Sequence, residues 1–124
     1  MANENVAVYE PGQDISGRCS AGVTGKRFLK ISGNRSSGNV AVAHADAGGR
    51  ICGVSGRDAA SGELVRVMRG SGRVVFVTAA ANLAAFQEVE VGTNGQAIVK
   101  ASGVAVGYAV TAATSGGDAE INLY

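Results

Sequence analysis

The 124 residues carry 11 Lys/Arg against 10 Asp/Glu, three Phe, three Tyr, no Trp, one His, two Cys and 19 Gly. That length suits one domain with a thin core: the 46% apolar share is mostly Ala and Val, and Ala brings a single methyl where a buried Val, Leu or Phe gains about 1.5–3 kcal/mol. A thin core gains from burial against identical copies or a larger surface, and the longest apolar run, Val74 to Ala81, contains Thr78 and falls far short of the ~20 residues of a membrane-spanning helix, so a membrane is not an expected partner.

The chain opens on Met1-Ala2-Asn3-Glu4-Asn5, which has neither the basic nor the apolar part of a secretory signal and sets the expectation of cytoplasmic synthesis. Asn5-Val6-Ala7-Val8-Tyr9 alternates ahead of Pro11-Gly12. Residues 1–17 are therefore read as an arm that adds a strand to a partner's sheet edge, against a disordered tail or an ordinary first strand. Asn5, Val6, Val8, Tyr9 and Pro11 are its candidate contact residues. Residues 18–124 are read as a single β domain.

From Arg18 onward, Val- and Ile-rich runs alternate with Gly, Ser, Asn and Asp clusters. That pattern predicts an all-β fold, a small antiparallel barrel or sandwich of about eight short strands. Phe28-Leu29-Lys30-Ile31 and Val40-Ala41-Val42-Ala43 form one strand pair. Val65-Arg66-Val67-Met68-Arg69 and Arg73-Val74-Val75-Phe76-Val77 read as a hairpin turned by Gly70-Ser71-Gly72. Ala79 to Phe86, Ala-rich and about two turns long, is the one predicted helical connector. Val89-Glu90-Val91 and Ala97-Ile98-Val99 flank Asn94-Gly95, a pair suited to the positive φ of a tight hairpin turn.

The stretch Cys52-Gly53-Val54-Ser55, loop, Glu63-Leu64-Val65-Arg66-Val67 resembles Val106-Gly107-Tyr108-Ala109-Val110, loop, Ala119-Glu120-Ile121-Asn122-Leu123, roughly 54–56 residues on. Phe28–Ala43 parallels Val89–Val99 in the same way. A chain this rich in Ala and Gly also matches itself by composition, and either reading leaves an all-β domain.

Residues 18–73 hold ten Lys/Arg against three Asp/Glu, a surplus of seven positive charges, while residues 1–17 and 74–124 are each three charges negative. A basic middle admits a nucleic-acid surface, as in a DNA-associated recombination protein, using Arg66, Arg69 and Arg73, whose binding would weaken steeply with salt. Only Phe28 is an aromatic among those charges, so nucleic acid is not the expected partner. Contact with acidic surface on a partner or a neighbouring copy is the plainer reading. A carbohydrate- or host-surface-binding module would show exposed aromatics, for which Tyr9, Tyr108 and Tyr124 are the tyrosine candidates.

The search for reactive chemistry returns little. Cys19 and Cys52 lie in no C-x-x-C pair and are read as free thiols, ahead of a mutual disulfide or a metal site with His44. His44 shares a strand face with Val42 and Asp46 but has no G-x-S-x-G nucleophile to serve. Glu88 and Glu90 alternate along one strand and read as solvated carboxylates. Gly22-Val23-Thr24-Gly25-Lys26-Arg27 has Ser20 where a P-loop needs its first Gly and Arg27 where it needs Ser or Thr. No catalytic, cofactor-binding or metal residue is assigned, and no cofactor is expected.

Taken in order, Tyr9-Glu10-Pro11-Gly12-Gln13-Asp14-Ile15, Ala21-Gly22-Val23-Thr24-Gly25-Lys26-Arg27-Phe28, Gly53-Val54, Asp58-Ala59-Ala60-Ser61-Gly62-Glu63 and Gly107-Tyr108-Ala109-Val110 resemble the capsid decoration (cement) proteins of tailed bacteriophages. The resemblance runs from Tyr9 to Leu123 and rests on the order of individually weak motifs. It implies a non-enzymatic protein on the outer surface of the phage head, bound to the major capsid protein, commonly as homotrimers, that reinforces the shell against DNA pressure. On that reading the arm residues and Arg66, Arg69 and Arg73 are candidate capsid or subunit contacts.

Overall fold

Ten strands organise residues 3–5 and 7–124, the part of the chain that the computed structural model describes. They are β1 (Ile15–Cys19), β2 (Phe28–Ser36), β3 (Asn39–His44), β4 (Gly53–Ser55), β5 (Leu64–Met68), β6 (Val74–Thr78), β7 (Glu88–Val91), β8 (Ala97–Val99), β9 (Gly107–Ala109) and β10 (Asp118–Leu123). Their alternation is visible in β5 and β6, where Val65, Val67, Val75 and Val77 point inward and Leu64, Arg66, Val74 and Phe76 outward. The fold is all-β, as expected, with two strands more than the sequence suggested.

Strands β1–β5 close a barrel in the order β1-β3-β2-β4-β5. Closure depends on β1, which pairs parallel to β3 (Gly17↔Val40 to Cys19↔Val42) and antiparallel to β5 (Ile15↔Val67 to Arg18↔Leu64). The barrel begins at Ile15, inside the segment expected to be an arm to residue 17, because Ile15 and Gly17 already take ladder positions. Gly17 is required there: a Cβ would stand 2.8 and 2.9 Å from the Val42 methyls. Leu29, Val42, Val65 and Val67, with Cys19, Val23 and Ala59, fill the interior.

The second five strands repeat the scheme in an open sheet ordered β6-β10-β9-β7-β8. Each neighbour pair has its counterpart in the barrel, and a single parallel bridge, Ala79↔Ala97, stands where β1 meets β3. The loops match as well. Cys19 N–H to Glu63 C=O recurs as Ala79 to Gly117, and the Val23↔Ala59 bridge recurs as Leu83↔Ala113. Even the left-handed backbone of Lys26 (φ 60°) reappears at Phe86 (φ 66°).

Two local expectations are corrected. β5 and β6 do not form a hairpin: β5 lies between β4 and β1, β6 pairs with β10, and Gly70-Ser71-Gly72 carries the chain from one unit to the other. Equal alternation cannot distinguish adjacent strands that pair from adjacent strands that part. Nor is Ala79–Phe86 helical. The Ala79, Ala80, Leu83 and Phe86 amides are donated to Gly117, Ala97, Ala113 and Ala109, so tertiary bonding overrides the helix preference of Ala. The Asn94-Gly95 hairpin forms with Val89↔Val99, Glu90↔Ile98 and Val91↔Ala97 in register, and both turn residues have positive φ (54° and 71°) within a short 3-10 turn, Thr93–Gly95.

One core joins the two units. Phe28, Ala45 and Val54 from the barrel are buried with Val75, Val77, Leu83, Val89, Val91 and Ile121 of the sheet, with Ile51 and Met68 packed alongside. Hydrogen bonds rim this junction: Thr78 N–H to Lys26 C=O (2.9 Å), Gly48 N–H to Val91 C=O (2.8 Å) and Arg27 Nη1 to Asn94 C=O (3.2 Å). Gly95 permits the close approach, since a Cβ there would meet the Phe28 carbonyl at 2.6 Å.

Candidate interaction surface at the N-terminal arm

The arm ahead of β1 has no strand of its own among the described residues and lies across the Gly70 turn. Gly12 and Gly70 make this crossing possible, because a Cβ on Gly70 would come within 2.8 Å of the Gly12 Cα. Asp14 is the anchor. Its carboxylate accepts from Arg66 Nε of β5 and from Arg73 Nη1 just before β6, so one acidic side chain ties the arm to both units. Partial burial by itself would raise the Asp14 pKa, but the hydrogen bonds and positive charge of the two arginines outweigh it and hold the carboxyl below its ordinary value.

Tyr9 forms the second hold. The guanidinium groups of Arg35 and Arg69 each stand 5.5 Å from its ring centroid, Arg35 Nη1 donates to the Tyr9 hydroxyl (2.9 Å), and Arg69 Nη2 donates to the Glu10 carbonyl (2.7 Å). Thus the structure brings Tyr9, Arg66, Arg69 and Arg73 together, although sequence reasoning proposed them as two separate groups. Asp14 and Arg35 were missed. An acidic residue ahead of the first basic strands was the available signal for Asp14; the hairpin position of Arg35 gave none.

The outer arm is different in character. Asn5 and Pro11 are exposed and Val8 is 75% exposed, while Val6 lies outside the described residues. The three arginines proposed for nucleic acid are engaged by Asp14, Glu10 and Tyr9, which leaves less of the positive surplus free than the charge count implied.

Groups with possible reactivity are held in structural roles. His44 Nε2 accepts from the Thr24 amide (2.9 Å), and burial together with Arg27 lowers its pKa, so it serves as a neutral acceptor. Glu90 is buried rather than solvated, contrary to expectation: its Oε1 accepts from the Ala101 and Gly103 amides, bonds that hold its pKa down. Both cysteines are free thiols; burial pushes Cys52 up to about 11 and also raises Cys19. A surface depression of about 540 Å³ is lined by Lys30, Asp46, Arg50 and Cys52, but Lys30 Nζ is occupied by Asp46 at 2.8 Å. No group of three or more potential metal ligands occurs among the described residues. Tyr108 and Tyr124 stand apart from the arm, beside Phe86 on the outside of the second sheet.

The described chain is thus an all-β body with an arm fastened at its base through Asp14 and Tyr9 and exposed further out. A family model described as phage cement protein matches residues 10–123, and the chain belongs to that family. Its role is structural and associated with the phage capsid. Among solved structures, the N base of head fiber gp8.5 of bacteriophage phi29 is similar with a TM-score of 0.76 at 21% identity, covering 90% of this chain and 93% of that one. This likeness establishes the fold. No curated protein matches the sequence.

Proposed function

We propose that the chain docks on the outer surface of the phage head against the major capsid protein, as homotrimers, and strengthens the shell against the pressure of packaged DNA. Membership in the cement family is the observation that carries this reading. The arm supplies its means: backbone outside any strand, exposed Asn5, Val8 and Pro11, and a base fixed by Asp14 and Tyr9. Such a segment can add a strand to an exposed sheet edge while the clasp limits the disorder to be lost on binding. Arg66, Arg69 and Arg73 act through the arm's base. A contact of modest strength repeated over the head resists opening because capsid subunits must part across many bridges together.

The test is sedimentation of the full chain, and of a chain lacking residues 1–10, with undecorated heads. The full chain is expected to pellet with heads and the shortened chain to lose most of its occupancy while keeping its unfolding temperature. Equal occupancy by both refutes the arm's role, and heads that release DNA at the same temperature with and without the protein refute stabilisation.

A further inference from the structure

The repeated architecture makes a comparison possible within one chain. In the first unit, Phe28, Val54 and Met68 form a row across β2, β4 and β5 (Phe28↔Val54, Val54↔Met68), and the second unit covers that row, leaving Phe28 and Val54 at 0% and 1% exposure. In the second unit the same positions are Glu88, Tyr108 and Asn122 (Glu88↔Tyr108, Tyr108↔Asn122), which stay exposed or half-exposed, with no further sheet over them among the described residues. Around them stand aromatics. Phe86, at the position of Lys26, is 78% exposed and meets Tyr108 edge-on at 5.1 Å; Tyr124 lies 6.1 Å beyond and donates its hydroxyl to Glu88. Phe86 is held at φ 66°, a costly backbone conformation for a non-glycine residue, by the bond from its amide to the Ala109 carbonyl, and its ring is turned to solvent.

We propose that this aromatic face docks a second copy of the chain, which seats its first barrel where a third unit would continue the arrangement. The argument rests on the trimer reading above and identifies the surface that joins its copies. Within the chain, the elements rimming the covered row are Thr78, the Asn94-Gly95 turn and Asp118. Their counterparts in a first barrel are Arg18, the Ser37-Gly38 turn, again with two positive φ values (51° and 84°), and Leu64, which is 40% exposed. Charge favours the pairing. The face carries Glu88 and Glu120, while the receiving rim carries Arg18 and, beside Leu64, Arg57, which donates to the Leu64 carbonyl. Two different patches meet in such a contact, so it is heterologous and each copy offers one of each, as a cyclic assembly requires.

Two variants test it. Phe86→Gly removes the ring and relieves the left-handed strain, so the unfolding temperature of the subunit is expected to hold or rise. Leu64→Glu places a charge on the receiving barrel. Oligomeric state is read by sedimentation equilibrium in solution and by cross-linking on undecorated heads. Wild type is expected as trimers in at least one setting, each variant with at least a tenfold weaker self-association, and an equimolar mixture as a cross-linked 1:1 heterodimer, because each variant retains the face that the other lacks. Trimers that persist in both folded variants overturn this interface and leave the trimer reading intact, as does a mixture that stays monomeric. Wild type that is monomeric in solution and on heads overturns both.

Discussion

Replacing Asp14 by Asn keeps the size of the side chain and removes the charge that joins the arm to both units. The carboxylate is 27% exposed, as is Arg73, whereas Arg66 is 56% exposed. Pairs of this exposure are worth roughly 0.2–1 kcal/mol each. An Asn oxygen can still accept from one arginine, but its amide then faces the other as donor against donor, so the expected loss is about 1–2 kcal/mol, a factor of about 5–30 in the population with the arm released. Cleavage after Glu10 by a Glu-specific protease, followed by intact-mass spectrometry, reads that population and is expected to accelerate accordingly. Because the effect is ionic, the difference from wild type should shrink in about 1 M salt, where the screening length falls to about 3 Å. Acid should mimic the substitution. The folded Asp14 carboxyl titrates below its ordinary 3.8, so its contribution is complete above that value and is lost as pH falls through the lower folded one. Cleavage at the wild-type rate in the variant would show that Asp14 does not hold the arm, and acceleration that ignores salt would show that its hold is not ionic.

Phe28→Ala, at the junction of the units, is expected to cost about 3–5 kcal/mol in chemical denaturation, a large part of a domain's usual 5–15 kcal/mol; a cost under about 1 kcal/mol would show that the shared core does not couple the units. Alkylation of the buried Cys19 at pH 7.5 should be negligible in the folded protein and prompt in denaturant, whereas Cys52, half-buried at the surface depression with its thiol pushed up to about 11, should react more slowly than in denaturant; rapid modification of Cys19 without unfolding contradicts its placement.

Strand content was legible because short β-branched runs stand between Gly, Ser, Asn and Asp clusters and period-two burial survives in β5, β6 and β10, and Asn94-Gly95 announced its turn through backbone chemistry alone. The repeat was legible too, in the Gly53-Val54 and Gly107-Tyr108 stretches, but its two offsets obscured it: Val23 maps to Leu83 while Ala59 maps to Ala113. What stayed hidden was pairing. Nothing local shows that β1 joins β3 and β5, that β5 and β6 diverge at Gly70, or that the Ala79–Phe86 amides are committed to distant carbonyls. The site was half visible for the same reason. Arg66, Arg69 and Arg73 stood out by charge, but their partner Asp14 is remote in sequence and became part of the site only through the β1–β5 register.

The closure of the barrel has a bearing on how the molecule is made. β1 precedes every other strand in synthesis, yet its neighbours end at His44 and Met68, so it must wait for both before its ladder can form. Domains whose contacts are this distant along the chain fold in milliseconds to seconds, slower than those with local contacts. The earliest strand to leave the ribosome is therefore fastened late, and until then its Ile15 and Cys19 side chains are open to chaperones or to nascent neighbours on the same message.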